Sequence, residues 1–134
     1  MKRNESYEFF MKKMGDEKHI IHCGSVINCC LGMIEDTDLN KHIFIVAGWI
    51  HDLGKLIDKP NHHIESIKFL DEFLDLYPKY KDIREEVKDC ILNHRTNGEP
   101  KTIYGLIFKC ADKVALHNNK WLEYKKNKKS SEES

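Results

Sequence analysis

Residues 39–55 read Leu39-Asn40-Lys41-His42-Ile43-Phe44-Ile45-Val46-Ala47-Gly48-Trp49-Ile50-His51-Asp52-Leu53-Gly54-Lys55. Leu39, Ile43, Val46, Ala47 and Ile50 recur at helical spacing and form one apolar face. Asp36-Thr37-Asp38 ahead of them is expected to turn the chain and cap the helix. The face runs straight into His51-Asp52, and Gly54 is expected to end the helix. An apolar stripe that finishes on an imidazole and a carboxylate carries polar groups into a core, where an unpartnered polar group is costly.

The same helical period extends in both directions. Toward the N-terminus, a short helix is expected from Glu5 to Met14 with Gly15 as its stop. A second starts near Asp16 and lines up His22, Val26, Cys29, Cys30 and Met33 on one face. Toward the C-terminus, Lys55 to Pro60 reads as a loop and Asn61 as the cap of a fourth helix, whose apolar positions are Ile64, Ile67, Leu70, Phe73 and Leu74. Pro78 breaks that helix or opens the next. The fifth helix repeats Ile83, Val87, Cys90 and Ile91, and His94 continues its face. After the turn Thr96-Asn97-Gly98-Glu99-Pro100, a sixth carries Ile103, Leu106, Ile107, Cys110 and Val114, with Asp112 inside the apolar stretch. No period-2 strand stands out. The expected architecture is all-α: a compact single-domain bundle of five to six helices over 1–119, with 120–134 a helix extension and polar, frayed tail.

Composition narrows the function. The 134 residues suit one domain. Lys plus Arg (22) cancel Asp plus Glu (22), which argues against a basic nucleic-acid module. With 40% apolar residues the chain is no disordered acidic solubiliser. No apolar run reaches the ~20 residues of a bilayer span, and the polar start Met1-Lys2-Arg3-Asn4-Glu5 does not resemble a secretory leader, so a cytoplasmic location without membrane contact is expected. The five Cys contain no Cys-x-x-Cys pair and read as buried, reduced thiols. Neither a Gly-rich phosphate loop nor a Gly-x-Ser-x-Gly elbow is present.

Polar residues interrupt the apolar faces of five helices: His22, the His51-Asp52 pair, His94 and Asp112, with His62 and His63 at the mouth of the fourth. A bundle that points several imidazoles and carboxylates inward offers them a shared partner, and a metal ion is the natural one. Nitrogen and oxygen donors of this kind suit Fe, Mn, Co, Ni or Zn better than Ca.

In order and spacing, His22 … His51-Asp52 … His62 … His94 … Asp112 resembles the HD superfamily of metal-dependent phosphohydrolases. Ala47 to Lys55 is similar to its apolar helix followed by His-Asp-Ile/Leu-Gly-Lys. His22-Cys23-Gly24-Ser25-Val26 resembles its first histidine element, and Lys109-Cys110-Ala111-Asp112-Lys113 its closing aspartate. The resemblance covers about Asp16 to Asn118. It implies one metal on His22, His51, Asp52 and Asp112, and a second on Asp52 with His62 and His94. His63 is the alternative to His62, although Ser66, four residues after His62, favours His62. Asn93-His94-Arg95-Thr96-Asn97-Gly98 is similar to the His-Thr-Thr-Gly of bacterial diadenosine tetraphosphatases, with an additional residue that breaks the match.

The implied activity is hydrolysis of a phosphomonoester or phosphoanhydride of a nucleotide, dinucleoside tetraphosphate being the named candidate. One or two divalent transition metals (Fe, Mn, Co or Ni, with Zn or Mg compatible) would supply hydroxide near neutral pH. Asp52 and Lys55 are the expected catalytic residues, and Lys55, Arg95 and His63 the expected substrate contacts. The expected partner is a small-molecule phosphate ester, with no stable nucleic-acid partner, acting as a monomer or homodimer. Two alternatives use the same ligands: an HD-fold diiron oxygenase, and a non-catalytic metal-binding module that binds nucleotide or a partner protein.

Overall fold

The computed structural model describes residues 4–115. The expected 120–134 tail lies outside them. The described chain is helical throughout: α1 (Glu5–Lys13), α2 (Glu17–Met33), α3 (Lys41–Ile50), a 3-10 turn (Leu53–Leu56), α4 (His62–Leu76), a second 3-10 turn (Pro78–Ile83), α5 (Arg84–Leu92) and α6 over 103–115. None of the described helices is long and apolar enough to cross a membrane.

Helix α3 is the hub, packing against α1, α2, α4 and α5. Ile43, Phe44, Val46, Ala47, Gly48 and Ile50 are all buried. Phe44, Phe10, Phe73 and Phe108, contributed by four different helices, are the largest fully buried side chains. Helix α1 closes one side through Phe9 and Phe10, with the Phe10 ring centroid 5.2 Å from that of Trp49. Burying such rings contributes ~1.5–3 kcal/mol each relative to exposure.

Several boundaries and faces differ from expectation. Asn40, not the Asp36-Thr37-Asp38 segment, caps α3, accepting the His42 N–H at 3.0 Å. Asp36 instead takes a positive φ of 68° in the preceding turn. Asn61 stands at the α4 cap position but donates to Asp58 rather than capping. Gly54 does not end α3 through a left-handed conformation; it sits inside the first 3-10 turn. Its lack of a side chain serves a close approach, because a Cβ there would lie 2.1 Å from His62 O and 2.6 Å from Ser66 N. Met33 and Ile64 are about half exposed, the buried face of α4 being His63, Ser66, Leu70, Phe73 and Leu74. Helix α6 is also rotated from its expected face. Phe108, Ala111, Asp112 and Ala115 are buried, while Ile103, Leu106 and Val114 are about half exposed and Cys110 is exposed. Turning Asp112 inward brings its i−4, i−1 and i+3 neighbours with it and swings the larger aliphatic residues out.

Candidate metal centre

Three helices and two turns deliver the polar residues to one place. His22 comes from the middle of α2; His51 and Asp52 follow the last turn of α3; His62 opens α4; His94 follows α5; Asp112 lies on α6. His51, Asp52, His94 and Asp112 are buried. The histidine continuing the α5 face thus lies just beyond the helix, whose last turn is closed by the Asn93 N–H to Asp89 O.

Two groups of potential ligands share this space: His22, His51 and Asp112, and Asp52, His62 and His94, with the donor atoms of each group within 4.8 Å of one another. Asp52 links them. Its Oδ2 lies 3.6 Å from His22 Nε2 and 3.5 Å from His51 Nε2, while its Oδ1 lies 3.6 Å from His62 Nε2. His22 Nε2 is 3.1 Å and His51 Nε2 3.6 Å from Asp112 Oδ1. Atoms bound ~2.0–2.2 Å from one ion stand about 3–3.5 Å apart in tetrahedral or octahedral arrangements, so these separations are of ligand–ligand size.

The local folding fixes the imidazole orientations. His51 Nδ1 donates to Gly48 O at 2.8 Å, His62 Nδ1 to Lys59 O at 3.0 Å, and His94 Nδ1 to Ile91 O. Each bond reaches back three residues, and in a neutral ring it leaves the Nε2 lone pair facing the centre. His62 Nε2 and His94 Nε2 then face each other at 3.2 Å, close enough to share one ion. The buried Nε2 of His51 and Oδ2 of Asp52 have no hydrogen-bond partner. A cation between these atoms satisfies all of them, so the residues fit a metal ion.

The electrostatics show the same demand for positive charge. Burial alone would lower the His51 pKa, but the Asp52 and Asp112 carboxylates outweigh it and push it up to about 9. Burial would raise Asp52; His51 and Lys55 outweigh that and hold it at about 2. Burial also opposes ionisation of Asp112, yet the His22 and His51 imidazoles hold it well below the usual carboxylate range. His94 is lowered to about 4 by burial and by His51. Two ionised carboxylates thus keep a proton on His51 where a metal ion would serve instead.

The remaining expected site residues surround this centre. Lys55 Nζ is 3.6 Å from Asp52 Oδ1. Arg95, exposed, donates from Nη1 to Nε2 of the buried His63 at 3.0 Å. Burial and the Arg95 cation lower the His63 pKa. His63 therefore has a partner of its own and belongs to neither ligand group, whereas His62 belongs to the second.

Sequence reasoning missed Cys23 as a neighbour of the site and the structural role of Ser66. The buried Cys23 places its sulfur within 4.8 Å of donor atoms of both His51 and Asp52; its adjacency to His22 was the available signal. Ser66 acts as a clip, its hydroxyl accepting from Gly54 N at 2.8 Å and donating to His51 O at 2.8 Å. The clip ties the His51–Gly54 turn to α4, and the missing side chain of Gly54 lets the two approach so closely.

A family model described as HD domain matches residues 19–117. Over 67 residues the chain is 37% identical to the deoxyguanosinetriphosphate triphosphohydrolase-like protein of Caldanaerobacter subterraneus subsp. tengcongensis, a match covering 50% of this chain and 20% of that protein. The aligned stretch spans about a fifth of that relative's length. No solved structure matches the chain.

Proposed function

The chain belongs to the HD domain family, and from that premise we propose that it is a dinuclear metal-dependent phosphohydrolase. The observation that carries the proposal is the divided carboxylate of Asp52, with Oδ2 toward His22 and His51 and Oδ1 toward His62. In this reading His22, His51, Asp52 and Asp112 hold one metal, and Asp52, His62 and His94 hold the second. Mn, Fe, Co or Ni, which suit this donor set, would supply hydroxide near neutral pH and Lewis-acid polarisation of a phosphoryl group.

The chain's own side chains do the rest. The backbone-tied imidazoles of His51, His62 and His94 hold their Nε2 atoms in place before substrate arrives. Lys55, beside Asp52, meets negative charge on the transferred phosphate. Arg95, steadied by His63, offers a second phosphate contact from the rim. The substrate is a nucleotide: the triphosphohydrolase-like relative supports a nucleoside triphosphate, and dinucleoside tetraphosphate is the alternative, resting on a His94 segment whose match an additional residue breaks.

Assays of Mn²⁺-loaded protein against nucleoside mono-, di- and triphosphates and dinucleoside polyphosphates, beside Asp52→Asn, test the proposal. Release of phosphate or nucleotide that depends on Asp52 is expected. Metal-loaded protein that turns over none of these esters would overturn it in favour of a binding module or an oxygenase.

A further inference from the structure

Two surface grooves flank the described bundle, and their charges differ. One, of about 290 Å³, lies between α5 and the start of α6; its charged residues Glu85, Asp89, Lys88 and Lys101 balance. The other, of about 390 Å³, lies where α2 begins beside the first 3-10 turn and is lined by Lys18, His19, Lys55 and Lys59. Its one acid, Asp16, is engaged: it caps α2 and lies 2.7 Å from His19 Nδ1. In a chain whose formal charges cancel, this is a local concentration of cations.

The second groove adjoins the candidate metal centre at Lys55. Lys55 lines it and also stands 3.6 Å from Asp52 Oδ1. His19 lies one helical turn before His22 on α2. On the far side, Lys59 accepts the His62 Nδ1–H on its backbone carbonyl while its side chain is exposed. An anion chain that starts at Asp52 therefore meets Lys55 first and Lys18 and Lys59 beyond it. Compact ammonium groups arranged in this way suit a linear array of phosphates better than a single one.

We propose that this groove is a subsite for a linear di- or triphosphate chain, holding the phosphates beyond the one that reacts. The inference rests on the phosphohydrolase reading and assigns Lys18 and Lys59 as residues that select substrates by phosphate number. The chain chemistry is shared by a nucleoside polyphosphate and by free inorganic polyphosphate.

The test compares wild type with Lys18→Ala/Lys59→Ala, both exposed positions whose backbone bonds are retained, and with Lys88→Ala/Lys101→Ala, which removes the same charge at the other groove. KM and kcat are measured for a deoxynucleoside triphosphate and its monophosphate in Mn²⁺. Binding of inorganic tripolyphosphate to the purified full chain, freed of excess metal, is measured by calorimetry. The first variant is expected to raise the triphosphate KM about tenfold, leave the monophosphate KM and both kcat values within about twofold, and weaken tripolyphosphate to a similar degree; the control variant changes none of these. Tripolyphosphate binding as tight as the nucleotide KM would identify the free chain as a ligand, and much weaker binding the nucleotide. Equal effects on triphosphate and monophosphate, or unchanged tripolyphosphate binding, would overturn the subsite. If wild type hydrolyses no phosphate ester, the hydrolase reading fails, and the calorimetry still decides the groove.

Discussion

Asp52 and Asp89 are both buried carboxylates, and their surroundings are opposite. Asp89, on α5, accepts from Lys101 N, Thr102 N, Thr102 Oγ1 and Asn93 Nδ2, at 2.7–3.1 Å. It joins α5 to the start of α6, where Thr102 Oγ1 in turn accepts from Gly105 N. Gly105 permits the approach, since a Cβ there would lie 2.2 Å from Asp89 Oδ2. Asp52 has no hydrogen bond from the backbone: its Oδ2 is unpartnered, and its neighbours, three imidazole nitrogens and the Lys55 ammonium, stand 3.5–3.6 Å away. A carboxylate whose lone pairs are filled by the chain is structural. One whose lone pairs are buried and unfilled is prepared for something the chain does not supply.

Exchanging each carboxylate for its amide should separate the two roles. Asp52→Asn has the largest expected effect, a loss of activity on the order of 10³-fold or more, with the metal-induced rise in Tm abolished. Activity assays and thermal melts with and without Mn²⁺ check it. Asp89→Asn should cost about 2–4 kcal/mol of stability in denaturant titrations, because an NH₂ group would face N–H donors, while metal loading is kept. Ser66→Ala should cost less stability, about 1–3 kcal/mol, but lower activity roughly 10–100-fold by loosening the turn that carries His51 and Asp52; stability and kcat measured on one preparation distinguish these effects.

The smallest effect is in pH. Burial would raise the Asp89 pKa, but its bonds to Thr102, Lys101 and Asn93 outweigh that and lower it below the ordinary 3.8. Its stabilisation is therefore fully present above the ordinary value and is lost as pH falls through the lowered one. The stability gap between wild type and Asp89→Asn should be constant near neutral pH and narrow below about pH 4. A gap independent of pH would contradict the assignment.

Asp52 could be picked out in the sequence and Asp89 could not, for the same physical reason. His51-Asp52 ends an apolar stripe, so its cost of burial is visible as a break in pattern. Asp89 follows Arg84-Glu85-Glu86-Val87-Lys88, where a further charge looks solvated, and its partners Lys101 and Thr102 arrive from beyond a turn. The all-α architecture and the start of α2 followed from local spacing and capping. The face of α6 did not, because periodicity favoured its large aliphatic residues, while the inward pull on Asp112 is set by His22 ninety positions away. Local sequence makes Gly54 look like a helix stop, because its actual role depends on the approach of α4, which tertiary packing decides.

Metal stoichiometry tests the central claim most directly. Mass-spectrometric metal analysis of Mn²⁺-loaded, desalted protein should give two ions per chain in wild type, one in His62→Ala and fewer than one in Asp52→Asn, with His63→Ala unchanged at two. A single ion in wild type, retained undiminished in both His62→Ala and Asp52→Asn, would contradict a centre bridged by Asp52.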